Sequence, residues 1–270
     1  MTVSRFFGLG LTEIMRHMRV VQVFFIAVVL ILGAATTKAW AQGELEAKLI
    51  IETNFTDRDS GIQVFTDGDP WKRIEIKNPH GKKILDVMAK GNLKKFGLTE
   101  LFLESNEPNY DEMSLIEILS LFPEGEYEFK GLSVEGEKLE GTAELSHEIP
   151  CAPDNLSPFD GEIVSSAGDV IISWNSVVNM LDNDAETCTG GSITVETYQV
   201  IVENLETDKV FSIVLGAKPG GNQVTLPDEF ITSNSIYKYE VLAIAENGNQ
   251  TIAETFFCTD LAAVNCVLPE

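Results

Sequence analysis

Residues 237–257, YKYEVLAIAENGNQTIAETFF, read as two β-strands meeting at Asn247-Gly248. That dipeptide tolerates the positive φ angles a tight hairpin needs. On the first strand Tyr237, Tyr239, Val241 and Ala243 recur at every second position, so one face collects them and is predicted to enter a core. Upstream, Trp174 lies in a short apolar run and Leu226-Pro227 marks a strand end.

Working outward, the pattern predicts further strands near Ile163 and over 169–175, 197–203, 210–215, 223–226, 236–245 and 251–258. Trp174 then falls in the second strand and Tyr198 opens the third, with Leu226, Tyr237 and Ala243 following. On these residues the stretch 155–259 resembles a fibronectin type III domain, which implies a seven-stranded sandwich. The resemblance also implies that Tyr237, at the turn into the sixth strand, makes the family's backbone hydrogen bond. One stretch departs from the pattern: the loop 176–195 is far longer than the family's, and nothing in the resemblance predicts its role.

Residues 44–149 form a first unit that resembles no known family. Short strand-like runs alternate with turn signals such as Asp57-Arg58-Asp59-Ser60-Gly61, Asp67-Gly68-Asp69-Pro70 and Asn78-Pro79-His80-Gly81. One helix interrupts them. Asp111 can cap it, Ser114 and Glu117 have capping-box spacing, and Leu115, Ile118, Leu119 and Phe122 make one apolar stripe that ends at Pro123. The expected fold class is therefore all-β: a β-sandwich-like domain with one helix, a proline-stiffened linker at 150–154, the fibronectin type III-like sandwich, and a tail at 260–270.

Residues 1–41 read as a signal peptide. Residues 20–35 are apolar apart from Gln22, Arg16 and Arg19 precede them, and Ala39-Trp40-Ala41 is a small-x-small cleavage site. The run is short for a membrane span, which needs about 20 residues. Cleavage would leave Gln42 first, and no stable membrane insertion is expected afterwards. Met1, Met15 and Met18 all remain open as starts, as does retention of the run as an anchor. The expected compartment is periplasmic or extracellular. There an even set of cysteines, Cys151, Cys188, Cys258 and Cys266, favours disulfides. Three connectivities are open from sequence alone. The fibronectin topology implies Cys151–Cys188 and Cys258–Cys266, because the linker and the long loop share one pole and Cys266 follows the last strand in a tail.

The formal net charge is -23 over 270 residues. Such acidity argues against nucleic acid or an anionic membrane as partner, since both would repel it. It suits a protein or glycan ligand, or calcium, which takes clustered carboxylate oxygens. Asp182, Asp184 and Glu186 in the long loop are the candidate calcium ligands. The pairs Asp57/Asp59 and Asp67/Asp69 match no EF-hand spacing and are ordinary turn residues. For catalysis, His80 and His147 lie near no nucleophile motif, and there is no HExxH or phosphate loop. The expectation is an exported, non-catalytic binding, adhesion or spacer protein that needs no cofactor. A carbohydrate-active or calcium-dependent enzyme or accessory module is one alternative, and a structural component of a surface assembly is another.

Overall fold

The computed structural model describes residues 43–219, 221–262 and 266–268, so the expected leader at 1–41 lies outside the described residues. The second unit comprises β7 (Glu162–Val164), β8 (Ile171–Trp174), β9 (Val195–Asn204), β10 (Lys209–Gly216), β11 (Asn222–Thr225), β12 (Ser235–Ala245) and β13 (Gln250–Thr259). Strands β10-β9-β12-β13 make one sheet, β8 pairs with β11 in the other, and β7 runs parallel along β13. This is the seven-stranded fibronectin type III arrangement.

Its core follows the period of two. Tyr237, Tyr239, Val241 and Ala243 are all fully buried, with Trp174, Tyr198 and Phe257 packed among them. The Tyr237 ring stacks on Phe257 at 5.0 Å, and its hydroxyl accepts the Thr232 N–H at 2.7 Å. That local bond pins the turn into β12. The β12–β13 hairpin differs in detail from a two-residue turn. Ala245 accepts the Gly248 N–H at 2.9 Å and donates its own N–H to Asn249. Of Asn247 and Gly248 only the glycine has positive φ, at 90°. Glu246 and Asn247 therefore form the turn, and Gly248 supplies the left-handed residue that follows it.

In the first unit the elements are β1 (Leu45–Asn54), β2 (Asp59–Lys77), β3 (Lys83–Met88), α1 (Gly91–Phe96), β4 (Leu98–Glu104), α2 (Leu115–Leu121), β5 (Gly125–Ser133) and β6 (Lys138–Leu145). Helix α2 starts at the Ser114/Glu117 capping box and buries Leu115, Ile118 and Leu119, as the stripe predicts. Helix α1 was not expected, because none of its residues is buried and no apolar stripe announces it. The turn expected at Asp67–Pro70 is instead an irregularity inside one 19-residue strand. Pro70 has no N–H to give a ladder, so it sits at the bulge, while its carbonyl accepts the Val134 N–H at 3.0 Å. Strands β1, β2, β5 and β6 wrap round until Glu44 bridges Glu140.

The two units share a sheet. Glu52, Thr53 and Asn54 of β1 pair in parallel with Gln250, Thr251 and Ile252 of β13. The strand order then reads β10-β9-β12-β13-β1-β2-β5-β6 without a break.

Candidate functional site

The shared sheet brings together side chains that are far apart in sequence. Glu52 pairs with Gln250 across the joint and is only 2% exposed. Its carboxylate accepts a short bond from the Gln250 amide, which is also 3.4 Å from the Gln63 oxygen; Gln63 in turn donates to Glu104 at 3.2 Å. Glu52, Glu104 and Glu107 place carboxylate oxygens within 4.8 Å of one another. Asp57, in the turn between β1 and β2, and Asp59, the first residue of β2, stand beside this group and act on Glu107.

Crowded, buried carboxylates hold protons. Burial pushes Glu52 well above its ordinary value, with the Glu107 and Glu104 charges adding to it. Burial, then Glu104, Asp59 and Asp57, push Glu107 up to about 7. Burial and then Asp57 raise Asp59 to about 6. On β12, two strands from Glu52, burial and then Glu254 raise Glu240 to about 8, and one Glu240 oxygen is buried with no hydrogen-bond partner among the described residues. Lys238 sits 2.5 Å from Glu254 and offsets part of that repulsion. Chemically, the three glutamates can share protons or surround a hard cation. The sequence signal was incomplete: Asp57 and Asp59 stood out as a pair, but nothing local marks Glu52, Glu104 or Glu107.

The long loop has a different environment. Cys151 and Cys188 are joined, with Cα atoms 5.9 Å apart, and Cys258 and Cys266 are joined at 5.8 Å. Residues 149–151 and 179–181 exchange backbone bonds, from the Cys151 N–H to Asn179 and from the Leu181 N–H to Ile149. Leu181 and Ala185 are buried in the core of the first unit. The loop of one unit thus plugs the other. The Asp182 carboxylate accepts bonds from the Thr187 hydroxyl at 2.6 Å and the Thr189 N–H at 2.8 Å. Asp184 accepts the N–H groups of Glu186 and Thr187, and both aspartates are held below their usual range by these donors. Glu186 pairs with Arg58 of the first unit at 3.1 Å. A cation held by all three would have to displace the threonine donors and the guanidinium.

His80 lies in an exposed turn, and His147 bonds the Phe122 carbonyl at 2.8 Å. Trp71 is a fully buried core residue.

No family model and no curated protein matches this chain. Solved structures similar to it include the chicken CNTN1 FN1-FN3 domains, at 14% identity and a TM-score of 0.32, with 80% of this chain and 65% of that one covered. A tetra-tandem repeat from the extending region of a large adhesion protein matches at 12% identity and a TM-score of 0.28, over 78% of this chain and 49% of that one. A two-domain fibronectin type III segment of chicken tenascin matches at 11% identity and a TM-score of 0.28, over 77% and 95%.

Proposed function

We propose that this is an exported, non-catalytic binding or spacer protein, periplasmic or extracellular, whose two β units act as one stiff body. The observation that carries the reading is the parallel pairing of Glu52–Asn54 with Gln250–Ile252, which runs the sheet of one unit into that of the other. Two domains joined only by a linker are expected to move relative to one another. Here backbone ladder bonds and a plugging loop cross the joint, and a disulfide ties that loop to the linker. The apolar run at 20–35, followed by Ala39-Trp40-Ala41, and the two disulfides support passage to an oxidising compartment.

An enzymatic reading would have to use the glutamate cluster. Glycosidases space their two carboxyl groups by about 5–5.5 Å or about 6.5–9.5 Å, leaving room for a sugar or a water. The three glutamates crowd their nearest oxygens within 4.8 Å, and Glu52 is 2% exposed inside a sheet, which gives a sugar little access to it.

Complementation of cells lacking the protein separates the two readings. A Glu52→Gln/Glu104→Gln/Glu107→Gln variant should restore the wild-type phenotype. An uncoupled variant, Asn249→Ala with Cys151→Ser and Cys188→Ser, should fail when its expression is raised until the folded protein matches the wild-type level. The reverse pattern would overturn the proposal.

A further inference from the structure

Basic residues are unevenly placed in this acidic chain. Residues 42–270 hold 15 basic and 41 acidic side chains, yet 72–95 alone hold eight basic and two acidic ones. Within that stretch Arg73, Lys77 and Lys83 are neutralised by Glu75 and Asp86. Lys94 and Lys95, on α1 beyond the end of β3, are exposed and form no ion pair among the described residues. Lys90, also exposed, reaches the Met88 sulfur at 3.2 Å and forms no ion pair among the described residues.

The same place exposes apolar side chains. Phe96 is 82% exposed, Leu93 55% and Met88 45%. Leu93 and Phe96 are three positions apart on α1, hence on one face. Lysines in the last turn of a helix complement its dipole. That accounts for Lys94 and Lys95 but not for a bare phenylalanine directly after them.

Position supplies a third observation. Gly97, directly after α1, is packed so closely that a Cβ there would lie 2.7 Å from Pro70 and 2.9 Å from Val134. Val134 belongs to the β5–β6 turn, and on the far side of that turn the Lys138 carbonyl lies 3.4 Å from where a Gly43 Cβ would be. Helix α1 and the first described residue therefore flank one hairpin at one pole. Where the apolar run that ends at Ala35, eight positions before Gly43, is retained as an anchor, those positions span at most about 26 Å at about 3.3 Å per residue.

We propose that α1 and the end of β3 dock the protein on an anionic lipid surface, with Leu93 and Phe96 entering the headgroup boundary and Lys90, Lys94 and Lys95 meeting the headgroups. This goes beyond the stiff-body reading and does not depend on it. The net charge does not forbid it, because charges farther than about 8 Å are largely screened at physiological salt. The acidic remainder instead orients the molecule, keeping the basic pole toward the surface. A fluid bilayer can accept exposed apolar side chains flanked by lysines without a shaped partner surface.

Vesicle flotation with residues 42–270, which contain every described element, tests this. Binding to vesicles with one-third phosphatidylglycerol should exceed binding to pure phosphatidylcholine by at least about tenfold, and should fall with added salt. Lys94→Glu/Lys95→Glu should remove about tenfold or more, and Phe96→Ser severalfold. Lys209→Glu/Lys218→Glu, on the other unit, should bind as wild type. Equal binding to both vesicles, no binding, or unchanged binding by the α1 variants would overturn the proposal. So would salt-sensitive self-association lost in Lys94→Glu/Lys95→Glu without vesicle binding, which would make the pole a contact between copies.

Discussion

The side-chain oxygen of Asn249 accepts the backbone N–H of Ile51 at 2.8 Å, although the two residues are 198 positions apart. The same side chain gives its amide hydrogens to the carbonyls of Ser146 at 2.8 Å and Glu148 at 2.9 Å. One buried asparagine at the tip of the β12–β13 hairpin thus ties together β1, the end of the first unit and the fibronectin-like sandwich.

Asn249→Ala strands the Ile51 N–H and the Ser146 carbonyl, while Asn247 still reaches the Glu148 carbonyl at 2.8 Å, and should cost about 1–3 kcal/mol. Asn247→Ala, at the more exposed neighbour, should cost less. Urea denaturation of both variants at constant slope checks this; equal midpoints would contradict it.

Removing a disulfide should cost more where it closes the longer loop. Cys151 and Cys188 are 37 positions apart and Cys258 and Cys266 are 8 apart. The chain-entropy relation gives about 4 kcal/mol for the first and about 2.5 kcal/mol for the second. Double serine variants of each pair, unfolded in parallel, test the order.

The loop should stabilise the unit it does not belong to. Leu181 is 6% exposed within the core of the first unit, so Leu181→Ala should cost about 2–5 kcal/mol and raise hydrogen exchange in β1 and β2. Arg58→Ala should cost no more than about 1 kcal/mol, because Arg58 and Glu186 are 48% and 58% exposed. Calcium at Asp182, Asp184 and Glu186 would show in the same melts, as a gain of about 2.7 kcal/mol at a hundred times its dissociation constant. Curves unchanged between chelator and millimolar calcium would leave the loop as a clasp alone.

Stability should fall as pH rises. Glu240, Glu107 and Asp59 titrate near 8, 7 and 6 in the folded protein, above their unfolded values of about 4. The folded chain therefore binds more protons between those limits, and the penalty grows from about pH 4 to about pH 8. Asp86 and Glu75, held low by Arg73 and Lys83, act below that window. The melting temperature should be higher at pH 5.5 than at 8.5, and Glu240→Gln should flatten the profile. A flat or rising wild-type profile would refute the assignment.

The sequence by itself determined what depends on near neighbours. The alternation of Tyr237, Tyr239, Val241 and Ala243 sets the core face of β12, the Ser114/Glu117 box starts α2, and the Tyr237–Thr232 bond spans five positions. Each is written in a handful of adjacent residues. Tertiary structure alone decided that β13 receives β1 along its free edge, that Glu52 meets Gln250, and that Leu181 leaves its own sandwich for the other core. An edge offers the same backbone donors and acceptors to any strand. Which strand arrives is set by how the units pack, and no local periodicity encodes it. The glutamate cluster inherits that property: its members become neighbours only after two strands and the segment beyond β4 have converged on one face of the shared sheet.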